Sequence, residues 1–486
     1  MMALGIERLA VAQLWHLLVT LVFLSPGDNL QTAADSHPPF TQFYLSAGVY
    51  RLQEVSPKEG QQFIGELCPT GQRLAILSGA RVLTGWVAAG GFWYVTGQTQ
   101  EQQQNGLCED PVCVYAEELF INGQHRTQVL SLGELSPGRW YFDYGQDRIY
   151  VAENPIGQIV ETSVADRAFV GPADGVVVRN LVVEKYANMA GEGAIDPRIV
   201  NTPMTTGSNW IIENNEVRWN HGVGIRGRDG GLVQGNYIHH NGQFGVTAQG
   251  AGITFVNNEI AYNHFADFST GWGAGGSKFS STTDLLVVDN YVHHNNGPGL
   301  WSDVSDMRAT YRGNRVEYNE HIGILYEVSY EGTIEGNLVI GNGFGWPDWG
   351  WGGGIVVSAS SDVEVVDNIV IDNADGIVAI QQNRGNGPYG PHIIENLNVH
   401  GNCIKQQGGW TGGLAATGMD ELFCCRNNRF AGNTYDLPNP EGNFLTWNRQ
   451  WMGVTDWRTH HPQDGEIGTC DPGVWEHWEE PFLSSE

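Results

Sequence analysis

From residue 215 onward the chain repeats one phrase of polar and apolar positions: NEVRWN (215–220), NYIHHN (236–241), NEIAYN (258–263), NYVHHN (290–295), NRVEYN (314–319), NLVIGN (337–342) and NIVIDN (368–373). Each reads Asn, any residue, Val or Ile, two residues, Asn. The intervals between first asparagines are 21, 22, 32, 24, 23 and 31 residues. A period of that size marks a solenoid, with the two longer intervals as loop insertions. Each unit alternates short β-branched runs with Asn and Gly and shows no sustained helical period. Leu at fixed offsets, the mark of leucine-rich repeats, is absent. The pattern predicts an all-β fold, a right-handed parallel β-helix whose coils stack at the ~4.8 Å strand spacing. Asparagine fits its turns, because it tolerates left-handed backbone and its amide bonds to the coils above and below.

Outside the repeat the pattern predicts other elements. LSAGVYRL (45–52) and LAILSGARVLTGW (74–86) read as opening coils, and DGVVVRNLVVEKYAN (174–188) as a coil resumed. Between them FWYV, VYAEELFINGQ and GRWYFDYGQDRIYV read as hairpin strands of a small inserted β domain. Residues 9–24, LAVAQLWHLLVTLVFL, form one apolar run after Arg8, followed by a Ser-Pro-Gly break and the small residues Thr32, Ala33 and Ala34. This reads as a signal peptide. The expected organisation is a signal peptide at 1–34, N-terminal cap and first coils at 35–86, inserted β domain at 87–163, parallel β-helix at 164–405, and a Trp- and Cys-rich cap at 406–486. The expected location is secreted, extracellular or periplasmic. No other segment reaches the ~20 apolar residues of a membrane span, so no membrane partner is expected once the leader is cut.

Charge narrows the partners. Lys+Arg number 25 against 54 Asp+Glu, a formal net charge of -29. Nucleic acid is excluded as a partner, because phosphate binding rests on Lys and Arg. Polyanionic substrates are disfavoured unless a local basic groove overrides the global sign. Seven cysteines fit an oxidising compartment, and their odd number leaves at least one thiol outside an intrachain pair. Cys108 and Cys113 flank a short loop and are the expected pair; the C-terminal four join in several ways. No zinc spacing, Ser-His-Asp triad or phosphate loop is present.

Candidate chemistry comes from reading across coils. Counting eight residues on from each second asparagine aligns Arg228, Gln249, Asp303 and Glu327. The GGSK phrase is expected to place Lys278 in the same column, and Ser358 follows Gly354 by the same four residues. Strand alternation sends Leu300, Ile324, Ile225 and Val246 inward and Trp301, Asp303, Leu325, Glu327, Arg226 and Arg228 outward. Asp303 and Glu327 then stand ~5 Å apart on adjacent coils. Like charges opposed on a sheet repel, so an idle surface would not favour the pair. Repulsion and burial raise the pKa of one acid while the other stays ionised, the split a glycosidase needs. A spacing of ~5 Å suits retention, one carboxylate attacking the anomeric carbon and the other protonating the leaving oxygen. Lys278 is expected to hold one carboxylate ionised. Arg226, Arg228 and Gln249 are expected to bind sugar hydroxyls or an acidic group.

The insertions HFADFSTGWGAGG (264–276) and GFGWPDWGWGGG (343–354) are expected to form the rim, with Trp272, Trp346, Trp349 and Trp351, beside Trp301, as flat faces for sugar rings. His321 is an accessory candidate. His239, His240, His293 and His294 read as solvated turn residues, Asp306 and Asp348 as plain loop acids.

The Asn-x-Val/Ile-x-x-Asn coils with GLWSD (299–303) and GILYE (323–327), together with the insertion, resemble the right-handed β-helix carbohydrate-active enzymes, in particular glycoside hydrolase family 120 and the related family 141. The resemblance implies a retaining hydrolase of xylo-oligosaccharides, with Asp303 as nucleophile and Glu327 as acid/base. The expected function is a secreted retaining glycoside hydrolase acting on a plant- or algal-type oligo- or polysaccharide, with no cofactor required and calcium admissible. Its rival is a calcium-assisted polysaccharide lyase with Lys278 or Arg228 as base; a third class is a non-catalytic glycan-binding solenoid.

Overall fold

Two left-handed residues per coil fold the repeat. The position before each first asparagine (Asn214, Gly235, Asn257, Asp289, Gly313, Gly336) and the position before each second (Trp219, His240, Tyr262, His294, Tyr318, Gly341) have positive φ. Each breaks an extended run into short strands. In the computed structural model, which describes residues 20–101, 108–199 and 204–473, these strands stack into three long parallel sheets of 13, 13 and 12 strands. The fold is a right-handed parallel β-helix.

The asparagines form two ladders. In the first, Asn215, Asn236, Asn258, Asn290, Asn314, Asn337, Asn368, Asn402 and Asn433 are buried or nearly so. From Asn236 on, each accepts at Oδ1 from the backbone N–H and the Nδ2 of the asparagine one coil before, as Asn337 does from Asn314 at 2.9 Å in both bonds, while Asn215 accepts from Leu181 N. Each also donates to a backbone carbonyl, as Asn314 Nδ2 does to Val287 at 2.9 Å. Coil geometry leaves buried amide groups at the turns, and the ladder satisfies them. The core is a column of inward side chains, including Phe43, Phe63, Phe255, Tyr311 and Val365 from one sheet and Ile225, Val246, Leu300 and Ile324 from the sheet that carries the candidate acids.

Both ends of the solenoid depart from the expected boundaries. Leu21–Leu24 is a strand paired in register with Gln42–Leu45. Leu24, Leu30 and Ala34 are buried in the main core. Residues 20–36, which include the end of the expected leader, build the first coil and its short helix, Leu30–Ser36. Residues 1–19, with positions 9–19 of the apolar run, lie outside the described residues. At the other end coils continue past 405, through Thr411–Ala415, Arg429–Ala431, Thr434–Asp436 and Glu466–Ile467. Asp464 closes the ladder, accepting from Asn433 N at 2.8 Å and Nδ2 at 3.0 Å, while Trp457 Nε1 and Tyr435 Oη donate to its other oxygen. The helix Val454–His460 covers the last coil with Val454 and Trp457. Residues 474–486 lie outside the described residues.

An eight-stranded sheet with its own core of Leu119, Ile121, Trp140, Phe142 and Ile149 is inserted between the coils of Gln62–Gly65 and Val177–Arg179, which pair directly. It begins at Ala80–Val82, seven residues earlier than the expected 87, because that strand pairs with Val160–Ser163. Disulfides join Cys108–Cys113, Cys403–Cys470 and Cys424–Cys425, leaving Cys68 as the free thiol. No helix among the described residues is long and apolar enough to cross a membrane.

Candidate active site

Leu300–Asp303 and Ile324–Glu327 are adjacent strands of the 12-stranded sheet, with Asp303 paired to Glu327 and Trp301 to Leu325. Alternation sends Leu300, Ser302, Ile324 and Tyr326 inward. Ser302 Oγ and Tyr311 Oη hydrogen-bond there at 2.7 Å. The outward residues meet a second apolar cluster, Trp301, Ile322, Leu325, Val356, Val378, Ile380, Trp410 and Leu414, roofed by Trp351. Hydrophobic residues on the outside of a solenoid sheet are stable only under a cover, and the long loops supply it. Between sheet and loops lies a cavity of about 320 Å³ lined by Asp303, Glu327, Trp301, Leu325, His321, Ile322, Pro298, Thr270, Gly271, Trp346, Trp351, Gln382 and Arg384.

The two acids are 7 % and 6 % exposed and differ in their partners. Asp303 Oδ2 is 2.8 Å from Lys278 Nζ. That ammonium also donates to the Trp272 carbonyl at 2.7 Å and sits 3.8 Å from the Trp301 ring centroid. Asp303 Oδ1 and Trp301 Nε1 are buried with no hydrogen-bond partner among the described residues, which leaves an acceptor and a donor side by side in the floor. Glu327 Oε1 pairs with Arg384. Burial pushes the Glu327 carboxyl above the usual range, the neighbouring Asp303 charge adds to that, and Arg384 and Lys278 pull the other way. Burial also drives His321 down to about 4, so its imidazole is neutral at neutral pH; it meets Trp346 edge-on at 5.4 Å.

Several expected placements need correction. Lys278 is not in the column of Asp303. Thr247 pairs with Lys278 and Phe279 with Ser302, which puts Lys278 beside Trp301, one outward position earlier. The reason is the double glycine of GGSK: the second, Gly276, occupies the place of Gly299. A register shift between Ala248 and Gly250 absorbs the extra residue. The long Lys278 side chain reaches Asp303 across that offset. Arg226, Arg228 and Gln249 lie on the same outer face but do not line the cavity, and neither do Trp272 and Trp349, which are 43 % and 40 % exposed. Ser358 pairs with Glu327 and is fully buried.

His239 and His293 are buried, not solvated: each stacks on a tyrosine, Tyr237 or Tyr291, and meets a glutamate, Glu216 or Glu259. His240 and His294 stack with Trp219, Tyr262 and Tyr318 along the turn. Asp306 is fully buried, accepting from Thr282 N at 2.7 Å and Oγ1 at 2.8 Å, and burial lifts its carboxyl to about 7. Asp348 is exposed in the 343–352 loop. Arg384 and Gln382 escaped the sequence reading because they follow the strand Asp375–Gln381 in a loop without repeat register. A cation just past the end of the strand two coils on from Glu327 was the available signal.

With the geometry in place, the comparisons agree on the fold. Residues 204–353 match the family model described as "Right handed beta helix region". A stretch of 76 residues is 33% identical to the tail spike protein of Salmonella phage epsilon15; it is 15% of this chain and spans only 7% of the phage protein. Among solved structures, the complex of XylC with xylose superposes with a TM-score of 0.62 at 15% identity, covering 86% of this chain and 83% of that one. The A-module of the Azotobacter vinelandii mannuronan C-5 epimerase AlgE4 gives 0.48 at 12% identity, over 91% and 92%.

Proposed function

We propose that the protein is a retaining glycoside hydrolase in which Asp303 attacks the anomeric carbon and Glu327 protonates the leaving oxygen. The observation that carries this reading is the in-register pair of buried carboxylates on one cavity floor, one ion-paired to Lys278, the other pushed towards its protonated form. Adjacent-strand spacing, ~4.8 Å, suits a shared sugar with no room for an intervening water. The split environments assign the roles: Lys278 supports Asp303 as an anion, and burial beside it favours a proton on Glu327. Trp301, Trp346 and Trp351 supply apolar faces, and the unpartnered Asp303 Oδ1 and Trp301 Nε1 offer polar contacts to the sugar. The fold likeness to a xylose complex and the resemblance to family 120 make xylo-oligosaccharides the first substrates to try.

The lyase reading loses support from the same geometry. Lys278 spends its contacts on Asp303, the Trp272 carbonyl and the Trp301 ring, and Arg228 is three coils from Asp303. The test is product analysis on neutral and acidic plant and algal glycans with wild type, Asp303→Asn and Glu327→Gln. New reducing ends of retained configuration, without an ultraviolet-absorbing unsaturated sugar and abolished in both variants, support the reading. An unsaturated product, or full activity in either variant, refutes it.

A further inference from the structure

Towards the N-terminus on the same outer face, up to three coils away, Arg226, Arg228 and Gln249 assemble, with Arg198, a second polar cluster that the cleavage chemistry does not use. Arg226 and Arg228 project from one strand, Val223–Gly227 and the residue after it, at successive outward positions. Arg226 Nη1 donates to the Gly191 carbonyl and to Thr247 Oγ1, both at 3.2 Å. Arg198 Nη2 donates to that same carbonyl at 2.7 Å, so two guanidinium groups share one acceptor. Arg228 Nη1 donates to Gln249 Oε1 at 3.0 Å.

The carboxylates nearby are engaged elsewhere. Asp196 is held by Arg198 Nε at 2.9 Å and by Gly193 N. Asp229 accepts from Ala251 N, and Glu192 faces Arg167. Among the described residues neither Arg226 nor Arg228 has a carboxylate within ion-pair distance, whereas Arg218 and Arg315 on the adjoining sheet each sit directly on glutamates. Burial, with the like charges of Arg198 and Arg228, drags the Arg226 guanidinium down to about 10 against the opposing pull of Asp196 and Glu192. Buried cations are costly; Asp196 and Asp229 act on these two from beyond ion-pair distance, and the buried Nε atoms of Arg226 and Arg228 have no hydrogen-bond partner among the described residues, so in a chain of net charge -29 this cluster of arginines stands out. Guanidinium forks match carboxylate and sulfate oxygens in shape.

We propose that Arg226 and Arg228, braced by Arg198 and Gln249, form a subsite for an anionic group carried by the glycan, a carboxylate or a sulfate. This rests on the reading of the cavity as glycan-cleaving and gives its substrate a class: a chain bearing acidic groups a few sugars from the cleaved bond. Three strand spacings, ~14 Å, separate the cluster from Asp303, within the span of a short oligosaccharide. The half-exposed Gln249 and Ser280 lie on the path between them.

The test is calorimetric binding of three probes, tetragalacturonate, a sulfated carrageenan tetrasaccharide and neutral xylotetraose, to wild type and to Asp303→Asn, which removes turnover if the cavity reading holds. One acidic probe binding at least tenfold tighter than xylotetraose, with affinity falling as salt rises, is expected, and which of the two does so identifies carboxylate or sulfate. Arg226→Gln with Arg228→Gln removes that preference and leaves xylotetraose binding unchanged; Arg228→Gln alone, a milder change, reduces it, and thermal melting checks that both fold. Equal binding of acidic and neutral probes, no binding of either acid, or a preference surviving in the double variant overturns the proposal. Arg-dependent acid binding without any cleavage sinks the hydrolase reading alone; cleavage of neutral glycans without acid preference sinks the subsite alone.

Discussion

The asparagine ladder and the outer face of the 12-stranded sheet climb the same coils at the same spacing, yet they are built by opposite rules. The ladder repeats one residue, and every amide is consumed by the rung before or after it. The outer face changes residue at every rung, through Arg228, Gln249, Asp303, Glu327 and Ser358, and leaves polar atoms such as Asp303 Oδ1 without a partner. A third turn shows that variety alone is not the criterion. There Thr282, Asp306, Ser329 and Ser360 differ in kind, but the Asp306 amide donates to Ser329 Oγ and the Ser329 amide to Ser360 Oγ. What separates scaffold from site is where an unpartnered polar atom sits: Asp306 Oδ2 also lacks a partner among the described residues but is sealed in the core, whereas Asp303 lines the cavity.

The largest effects test that distinction directly. Asp303→Asn is expected to abolish glycan turnover, and Glu327→Gln to lower kcat by about 10²- to 10⁴-fold. Both variants keep the far-ultraviolet spectrum and a melting temperature near wild type. Asn314→Ala is the converse. It leaves the amide and Nδ2 of Asn290 without their acceptor and strips Val287 O of its donor. At about 1–3 kcal/mol per stranded buried group, the loss is roughly 3 kcal/mol or more of stability, read by denaturant titration, with kcat unchanged in the protein that remains folded. A ladder variant that damages kcat without lowering stability would break the comparison.

The third ladder adds a pH signature. The Asp306 carboxyl is held at about 7 in the folded protein, chiefly by burial, against ~3.9 when unfolded. The folded state therefore binds more protons between those values, so stability is greatest below about pH 4 and falls as pH rises through about 7. Asp306→Asn removes the titration. The variant is expected to melt close to wild type at pH 4 and clearly above it at pH 8, by up to about 4 kcal/mol for a shift near three units. A wild-type melting curve independent of pH over that window, once other groups are matched by the variant, contradicts the burial argument.

The repeat made the coil, the turns and the inward or outward parity of Leu300–Asp303 and Ile324–Glu327 legible, because period-two alternation between two asparagine anchors leaves one register. Legibility failed wherever the anchors changed. Two consecutive glycines displaced Lys278 by one outward position. Beyond residue 405 the second anchor becomes Gln406 and the first ends at Asp464, so coils that exist carry no readable phrase. Leu21–Leu24 was hidden because an apolar edge strand, of which only Leu24 is buried, and the end of an apolar leader have the same composition. The turn histidines were misread for a different reason: stacking on Tyr237 and Tyr291 depends on coil-to-coil contacts that a single phrase does not contain.

Arg384 offers the smallest and sharpest measurement, since it is the outer-face partner that the repeat did not encode. It opposes the two influences that raise Glu327, burial and the Asp303 charge. If Glu327 must carry a proton to act, turnover falls on the alkaline side as pH rises through its pKa. Removing the guanidinium with Arg384→Gln takes away a stabiliser of the Glu327 anion, so that pKa rises and the alkaline limb of kcat/KM moves to higher pH. Stability changes little, because Arg384 is partly exposed. A limb that moves to lower pH would mean that Arg384 supports the proton on Glu327 instead of opposing it, and the two carboxylates would then have to exchange roles.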